Sequence, residues 1–284
     1  MSLKGIDVST AQGTINWHRV ADSGVEFAMI KATQGRGEGL TTKHLRRFTD
    51  SKFTQNITGA TAAGIAVGVY HYMTAQTLKE AEDEADYFCD TIAPYRHKIS
   101  LWAAVDVESR MYLGKLTDRT LTDVTKRFMT IVQQRGYKPM LYTNPDHLLY
   151  KFVPGAFNDA EIWLAHWMLP TGSPLDVPNK RIWQYGAVGT AADVKKGYAT
   201  IASGRIPGIN AGCDVNNGYF VIAPLKEVYN VGCNYTIKKD DVWMDHSGKT
   251  GPLSPILVGK TYRIIKVEPE KRILLDSIMT WVKI

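Results

Sequence analysis

The segment Trp102-Ala103-Ala104-Val105-Asp106-Val107-Glu108 is an apolar run that ends in two carboxylates separated by one residue. Its composition predicts a buried β-strand, and because strand side chains alternate between faces, Asp106 and Glu108 point the same way. Two carboxylates one pleat apart repel, so the less solvated one gains affinity for a proton while the other stays ionised. A lone Asp-x-Glu more often caps a strand at the surface, so the pair needs support from elsewhere in the chain.

That support comes from two further strand-like runs, which carry Asp7 near the N-terminus and Asp214 more than two hundred residues later. A carboxylate inside an apolar strand is costly unless it has partners. Strand-like segments alternate with helix-like ones over residues 3 to 223; the strand candidates are 3–9, 26–33, 66–72, 101–107, 138–143, 161–167, 181–186 and 211–215. We therefore predict an eight-stranded β/α barrel of parallel strands, whose C-terminal ends bring Asp7, Asp106, Glu108 and Asp214 to one face.

Apolar residues recur at helical spacing in two connections, 80–94 and 120–136, and the later connections are short or irregular. After Pro224 the pattern changes. Short strand-like runs at 234–237, 261–267, 273–275 and 280–284 are separated by polar turns, and no helical period appears. The sequence thus predicts two domains, a barrel over residues 1–223 and a small all-β barrel over residues 224–284.

The composition and charge limit the classes of partner that the protein is expected to bind. The chain has 284 residues, a net charge of +6 and a pI near 9.0, which suits a polyanion such as nucleic acid or the bacterial wall. The sequence has no compact basic run of the kind that favours nucleic acid, and no apolar stretch approaches the ~18 residues of a membrane span. The first residues enter a strand without a signal-peptide core, so we expect synthesis in the cytoplasm without a secretion signal.

Three cysteines at wide spacing, Cys89, Cys213 and Cys233, predict neither a disulfide framework nor a zinc site. Cys89 and Cys213 fall on apolar faces and are expected to be small buried residues. No His or Cys ligand set accompanies the carboxylates, so no metal and no cofactor is expected.

Six motifs in order resemble glycoside hydrolase family 25, the Chalaropsis-type lysozymes that include many bacteriophage endolysins. They are Gly5-Ile6-Asp7-Val8-Ser9 with Gln12-Gly13 and Ile15-Asn16-Trp17, Ile30-Lys31-Ala32-Thr33-Gln34-Gly35, Gly64 to Tyr72, Val105-Asp106-Val107-Glu108, Trp183-Gln184-Tyr185, and Pro207-Gly208-Ile209 with Asp214-Val215-Asn216. The resemblance implies a flattened eight-stranded barrel with fewer than eight helices. It implies cleavage of the β-1,4 bond between N-acetylmuramic acid and N-acetylglucosamine in peptidoglycan, with Glu108 as general acid and Asp106, Asp7 and Asp214 completing the acidic cluster.

This sequence departs from the family pattern in two places. Gln34 stands where the family often has Glu, and residues 187–203 resemble an insertion before the last strand. The tail resembles bacterial Src-homology-3-like wall-binding modules through Val242-Trp243-Met244-Asp245, Gly259-Lys260-Thr261-Tyr262 and Trp281-Val282-Lys283-Ile284.

A saccharide groove needs aromatic platforms beside amide and carboxylate groups. Five side chains near strand C-terminal ends are candidates for substrate contact: Tyr70, Tyr72, Tyr142, Trp167 and Gln184. Core packing explains each aromatic alone equally well, and their shared position favours contact. His71 and His166 are predicted to be packed barrel residues rather than catalysts, and Lys31 to pair with a carboxylate of the cluster.

Two mechanisms and three functions stay open at this point. Either the substrate's N-acetyl group attacks the anomeric carbon while Asp106 steadies the oxazolinium, or Asp7 or Asp214 activates water or attacks directly. We favour the first. The main hypothesis is a muramidase that reaches the wall through a phage-encoded membrane pore; the alternatives are a catalytically silent wall-binding protein and a chitin-directed hydrolase. The sequence does not predict the oligomeric state.

Overall fold

A computed structural model describes residues 2–36, 47–167, 174–222, 231–268 and 272–283. The chain forms two compact units, Met1–Pro224 and Leu225–Ile284. Within the described ranges no helix is both long and apolar enough to cross a membrane.

The first unit is a closed barrel of eight strands with one short strand attached. The barrel strands are β1 (Leu3–Val8), β2 (Phe27–Gln34), β4 (Ala66–Tyr72), β5 (Ala103–Asp106), β6 (Pro139–Thr143), β7 (Ile162–Ala165), β8 (Lys180–Val188) and β9 (Cys213–Gly218), and β3 (Phe48–Thr49) pairs with the end of β2. The barrel closes because β1 pairs with both β2 and β9. Each of the eight predicted strands overlaps one of these, which confirms the barrel.

The prediction that all barrel strands are parallel is wrong for the last one. β9 runs antiparallel to both β8 and β1, while the other neighbouring barrel strands are parallel. Asp214 nevertheless reaches the predicted end of the barrel, since it lies directly opposite Asp7 in the register of β1 and β9. Asp214 lies near the N-terminal end of its strand, whereas the other acidic residues lie at or just after the C-terminal ends of theirs.

Among the described residues of this unit, seven α-helices accompany the barrel strands: α1 (Trp17–Asp22), α2 (Phe53–Ala62), α3 (Leu78–Ile92), α4 (Arg110–Leu113), α5 (Asp118–Gln134), α6 (Pro145–Tyr150) and α7 (Ala191–Lys195). Short 3₁₀ turns cover Thr10–Gln12 and Ala93–Lys98. The two predicted helices correspond to α3 and α5, which begin two residues earlier than predicted because Thr77 and Thr117 cap their N-termini. The later helices are short, and α7 lies within the segment that resembles an insertion.

Two apolar layers hold the barrel. One lies between the strands and the surrounding helices and includes Ile30, Phe88 and Phe128, all fully buried. The other fills the barrel interior with Phe27, Met29, Trp102, Met140, Trp163 and their neighbours. A β-carbon at Gly5 would lie 2.1 Å from the ring of Phe27, so the glycine makes room for that ring. Because the interior is filled, a ligand can reach the polar cluster only from the open end of the barrel.

The second unit is all β, as predicted. Its strands are β10 (Asn234–Thr236), β11 (Val242–Met244), β12 (Thr250–Pro252), β13 (Thr261–Glu268), β14 (Arg272–Leu275) and β15 (Thr280–Lys283), with a 3₁₀ turn at Pro255–Leu257. They pair in the order β10-β13-β14-β15-β11-β12 over a core of Tyr235, Ile237, Ile264, Ile273, Leu275 and Val282. Closure of this sheet into a barrel stays a prediction.

Candidate active site

The four predicted carboxylates meet at one end of the barrel. Asp7 lies near the end of β1, Asp106 is the last residue of β5, Glu108 follows two residues later, and Asp214 is the second residue of β9. Asp7 and Asp214 lie directly opposite each other on the antiparallel strands β1 and β9, so their side chains share one face of the sheet, and the charge of Glu108 acts on Asp214. The structure therefore brings together residues that are up to two hundred positions apart in the sequence, and their catalytic roles stay predictions.

The carboxyl groups of Asp7 and Asp214 both have raised pKa values. Burial raises the pKa of Asp7 to about 6, although hydrogen bonds from Gln184, Asn216 and Asp214 oppose the rise. Burial, with the nearby charges of Asp7 and Glu108, raises the pKa of Asp214 to about 9. A second negative charge beside Asp7 is unfavourable where both carboxyl groups have limited access to water, so Asp214 favours its protonated form near neutral pH.

Two amide side chains hold Asp7 in place. Its Oδ2 atom accepts a hydrogen bond from Gln184 Nε2 at 2.9 Å and another from Asn216 Nδ2 at 2.8 Å. Gln184 and Asn216 are 2% and 0% exposed, and Asp7 itself is 6% exposed, so this contact is closed to bulk water. The amides satisfy a carboxylate that would otherwise be too costly to bury.

Glu108 differs from the other three carboxylates because it is exposed at the mouth of the site, while Asp7 and Asp106 are buried and Asp214 is partly buried. Below it lies Tyr142, whose hydroxyl is 3.4 Å from Glu108 Oε2 and 3.1 Å from Gln184 Oε1. Burial and the charge of Glu108 raise the pKa of Tyr142 well above its usual range, so the hydroxyl stays a hydrogen-bond donor. Tyr142 thus connects the exposed carboxylate with the buried amide network.

The predicted aromatic contacts lie around this network. Tyr70 packs edge-on against Trp163 with ring centroids 5.8 Å apart, and burial, with the charge of Asp7, raises its pKa well above the usual range. Tyr72 is the register neighbour of Asp106, and the Lys31 ammonium lies 4.9 Å from its ring centroid. Lys31 also donates a hydrogen bond to Gln34 Oε1, the residue at the position where the family often has Glu.

Trp167 lies at the rim, where it is 49% exposed. Its indole Nε1 donates to Gln184 Oε1 at 2.8 Å, so one edge of the ring is anchored while much of the ring faces solvent. This arrangement suits a stacking platform for a sugar ring. Contact of these aromatic side chains with substrate stays a prediction.

The two histidines are packed residues, as predicted. His71 is fully buried, with Thr33 Oγ1 2.7 Å from its Nδ1 and Glu84 Oε2 3.0 Å from its Nε2. His166 Nδ1 accepts a hydrogen bond from the backbone of Leu175 at 2.9 Å. Cys89 and Cys213 are buried and Cys233 is exposed, and all three are free thiols.

Sequence reasoning missed two residues of the network, Asn216 and Trp163. Trp163 Nε1 donates to Asn216 Oδ1 at 2.8 Å, which orients the amide toward Asp7. The available signal was the spacing of two between Asp214 and Asn216, which places both side chains on one face of β9. Among the described residues, the structure has no group of three or more His, Cys, Asp or Glu side chains arranged to hold a metal ion.

An exposed carboxyl group beside buried anions can exchange protons with a ligand in the groove while the anions face developing positive charge. Glycoside cleavage needs this division, because the departing oxygen takes a proton and the anomeric carbon becomes cationic. The geometry fits this chemistry, with Glu108 exposed to solvent at the mouth of the site.

Comparison with known proteins also points to a glycoside hydrolase. Residues 6–194 match the family described as glycosyl hydrolases family 25. Lysozyme M1 of Streptomyces globisporus is 29% identical over 202 residues, which are 68% of this chain and 64% of that protein. The autolytic lysozyme of Clostridium acetobutylicum is 32% identical over 166 residues, or 58% of this chain and 45% of that protein. The chain thus spans less than two thirds of the length of these two curated relatives.

Among solved structures, the bacterial lysozyme from Streptomyces coelicolor superposes with a TM-score of 0.57 at 25% identity, covering 79% of this chain and 95% of that one. The matched residues of the family model begin in β1 and end in α7, so they include Asp7, Asp106 and Glu108. On the match over most of its length, this chain belongs to glycosyl hydrolase family 25.

Proposed function

We propose that this chain is a muramidase that hydrolyses the β-1,4 bond between N-acetylmuramic acid and N-acetylglucosamine in bacterial peptidoglycan. Family membership and the lysozymes among its relatives support the reaction class. The observation that carries the proposal is the convergence of Asp7, Asp106, Glu108 and Asp214 at the open end of the barrel. Only one of the four, Glu108, is exposed to a ligand at the mouth.

In this proposal Glu108 is the general acid. It enters the reaction protonated and gives its proton to the glycosidic oxygen as the bond to the anomeric carbon breaks. Its exposed position allows it to recover a proton from solvent after each turnover. The Tyr142 hydroxyl, 3.4 Å away, is placed to orient the carboxyl group.

The substrate's own acetamido oxygen attacks the anomeric carbon, and Asp106 accepts a hydrogen bond from the resulting oxazolinium N–H. Water then opens that ring as Glu108 takes its proton, so the anomeric configuration is retained. The contacts of Asp7 favour this route over direct attack by Asp7. Its Oδ2 accepts hydrogen bonds from two amide donors, so it is a poor nucleophile and suits a fixed negative charge.

For the second unit we propose binding to the bacterial wall. Residues 231–284 carry nine Lys and Arg against six Asp and Glu, which suits an anionic wall polymer. A second binding site raises the effective concentration of the catalytic groove at an insoluble surface. We propose the wall as the place of action, reached in a phage setting through a membrane pore.

The test compares turnover of purified peptidoglycan by the wild type, Glu108→Gln and Asp159→Asn. Glu108→Gln keeps the shape of the side chain and removes the proton donor, so release of soluble fragments should fall by ~10²-fold or more. Asp159 is exposed in the loop that precedes β7, at the opposite end of the barrel, so Asp159→Asn controls for loss of one carboxylate. Near-normal turnover by Glu108→Gln would overturn the assignment of the acid. No fragment release by the wild type would favour a silent wall-binding protein.

A further inference from the structure

We propose that Asn216 and Gln184 are positioning residues that decide which of the two adjacent carboxyl groups is ionised, so that Asp7 carries the charge and Asp214 keeps the shared proton. This inference deepens the proposed function, and only its kinetic test depends on that function.

The proximity of Asp7 and Asp214 favours a shared proton. Two ionised carboxylates have only acceptor atoms and repel each other, whereas a protonated carboxyl group can donate to an ionised neighbour. The two residues lie directly opposite each other on β1 and β9, and the closure of the barrel fixes this proximity. The remaining question is which group holds the proton.

The orientation of the two amides answers it. A tryptophan indole N–H only donates, so the atom of Gln184 that lies 2.8 Å from Trp167 Nε1 is its carbonyl oxygen. The NH₂ end of Gln184 therefore faces Asp7. The same argument holds for Asn216, whose oxygen lies 2.8 Å from Trp163 Nε1.

Both amides thus present N–H groups to a single oxygen, Oδ2 of Asp7, at 2.9 and 2.8 Å. Neither amide can rotate to accept a proton without losing its indole partner. Two N–H donors on one oxygen stabilise the carboxylate form, because hydrogen bonds to a charged acceptor are the stronger ones. The charge therefore belongs to Asp7 and the proton to Asp214, which donates to Asp7.

Most groups near the pair on the other elements are negative or neutral. They are Glu108 and Asp106 after and within β5, Tyr70 on β4, Tyr142 on β6 and Cys213 on β9. The cation on the neighbouring strand β2 is Lys31, whose ammonium donates to Gln34 Oε1 and lies over the ring of Tyr72. Burial raises the pKa of both tyrosines and of the thiol, so all three stay neutral at pH 7. These surroundings disfavour a second charge on the pair, which supports a single ionised group.

For the reaction, this means that the negative charge of the pair lies at one fixed position, the carboxylate of Asp7. Asp7 presents one negative charge toward the site, and Asp214 adds none. The exposed Trp167 is joined to this anion through Gln184, so a sugar ring that contacts the indole contacts the hydrogen-bond partner of a residue that orients the charge.

The direct test is a pH titration of the aspartate carboxyl carbons of the full-length protein by ¹³C NMR. Spectra of Asp7→Asn and Asp214→Asn assign the two signals. The expected result is an ionised Asp7 and a protonated Asp214 at pH 7. In Asn216→Leu the ionisation of Asp7 should move upward by roughly one to two pH units, the scale of a charge-assisted hydrogen bond. Gln184→Met removes the other donor and should act in the same direction if Asn216→Leu does not fold.

Asn217→Leu is the matched control, since residue 217 lies on the opposite face of β9 and has the same change of side chain. Its titration should follow the wild type. An ionised Asp214 beside a protonated Asp7 at pH 7, or unchanged titrations in both Asn216→Leu and Gln184→Met, would overturn the inference.

The pH dependence of kcat/KM distinguishes a positioning role of the two amides from a general structural effect of their substitution. With peptidoglycan as substrate, loss of either amide donor should move the acidic limb of kcat/KM to higher pH and leave activity partly recovered above it. A purely structural role would lower the rate by the same factor at every pH, and that result would contradict positioning. If the wild type cleaves no peptidoglycan, the proposed function fails while the NMR titration still decides the inference.

Discussion

Replacing Asp214 with asparagine should make the barrel more stable, relative to the wild type, as the pH rises. Burial and the neighbouring charges of Asp7 and Glu108 raise the pKa of Asp214 from 3.8 to about 9. Between these values the folded protein binds one proton more than the unfolded chain. A carboxyl group whose pKa is raised by folding makes its full contribution to stability at a pH below its pKa in the unfolded chain. It loses that contribution as the pH rises toward its pKa in the folded protein.

The size of the effect follows from this one proton. For each unit by which the pH rises, this group lowers the free energy of unfolding of the wild type by about 1.4 kcal/mol. The amide that replaces the carboxyl group in Asp214→Asn does not titrate and can still donate to Asp7. The free energy of unfolding of Asp214→Asn minus that of the wild type should therefore increase by about 1.4 kcal/mol per pH unit between about pH 7 and pH 8, above the pKa of Asp7 at about 6.

Urea unfolding at about pH 7, 7.5 and 8, followed by near-ultraviolet circular dichroism, measures this difference. The second unit is identical in both proteins, so its contribution cancels. Asp159→Asn removes one exposed carboxylate from the opposite barrel end and should run parallel to the wild type. Parallel curves for Asp214→Asn and the wild type would refute the single buried proton, whatever the activity of the variant.

Three further predictions concern the chemistry, the packing and the second unit. Asp106→Asn should hydrolyse peptidoglycan at least ~10²-fold more slowly, measured as soluble fragments, because the oxazolinium loses its anionic partner; full activity would move the essential anion elsewhere. Glu84→Gln weakens the buried contact with His71 and should lower the free energy of unfolding by about 1–3 kcal/mol in urea while leaving kcat unchanged; a large loss of kcat in the folded protein would contradict this. Residues 1–223 alone should cleave soluble wall fragments yet clear intact cells poorly in a turbidity assay; equal clearing by the truncated and full chains would argue against targeting by the tail.

Much of the barrel could be predicted because its signals are local. Apolar runs of strand type marked all eight strands, and helical spacing marked the two long helices, α3 and α5. The direction of β9 could not be predicted in this way, because a period of two carries no information on whether a strand is parallel to its neighbour. The three-residue strands β11 and β12 were also missed, since segments this short have too few residues to show alternation.

The candidate site was predictable for its charged members and less so for the neutral ones. A carboxylate such as Asp7 inside an apolar strand is costly, and that cost is visible in the sequence. Asn216 and Trp163 are neutral, so no comparable cost marks them in the sequence. Their contact depends on the pairing of strands that are distant in sequence. The same holds for the proton shared by Asp7 and Asp214, which exists only because closure of the barrel places the two residues opposite each other.

The most direct test of the account identifies the sugar at the new reducing end after digestion of purified peptidoglycan by the full chain. Reduction of the fragments with borohydride followed by mass spectrometry distinguishes the two possible sugars. The account predicts reduced N-acetylmuramic acid, and it predicts that Glu108→Gln yields almost none. Reduced N-acetylglucosamine from peptidoglycan, or new ends from chitin alone, would contradict it.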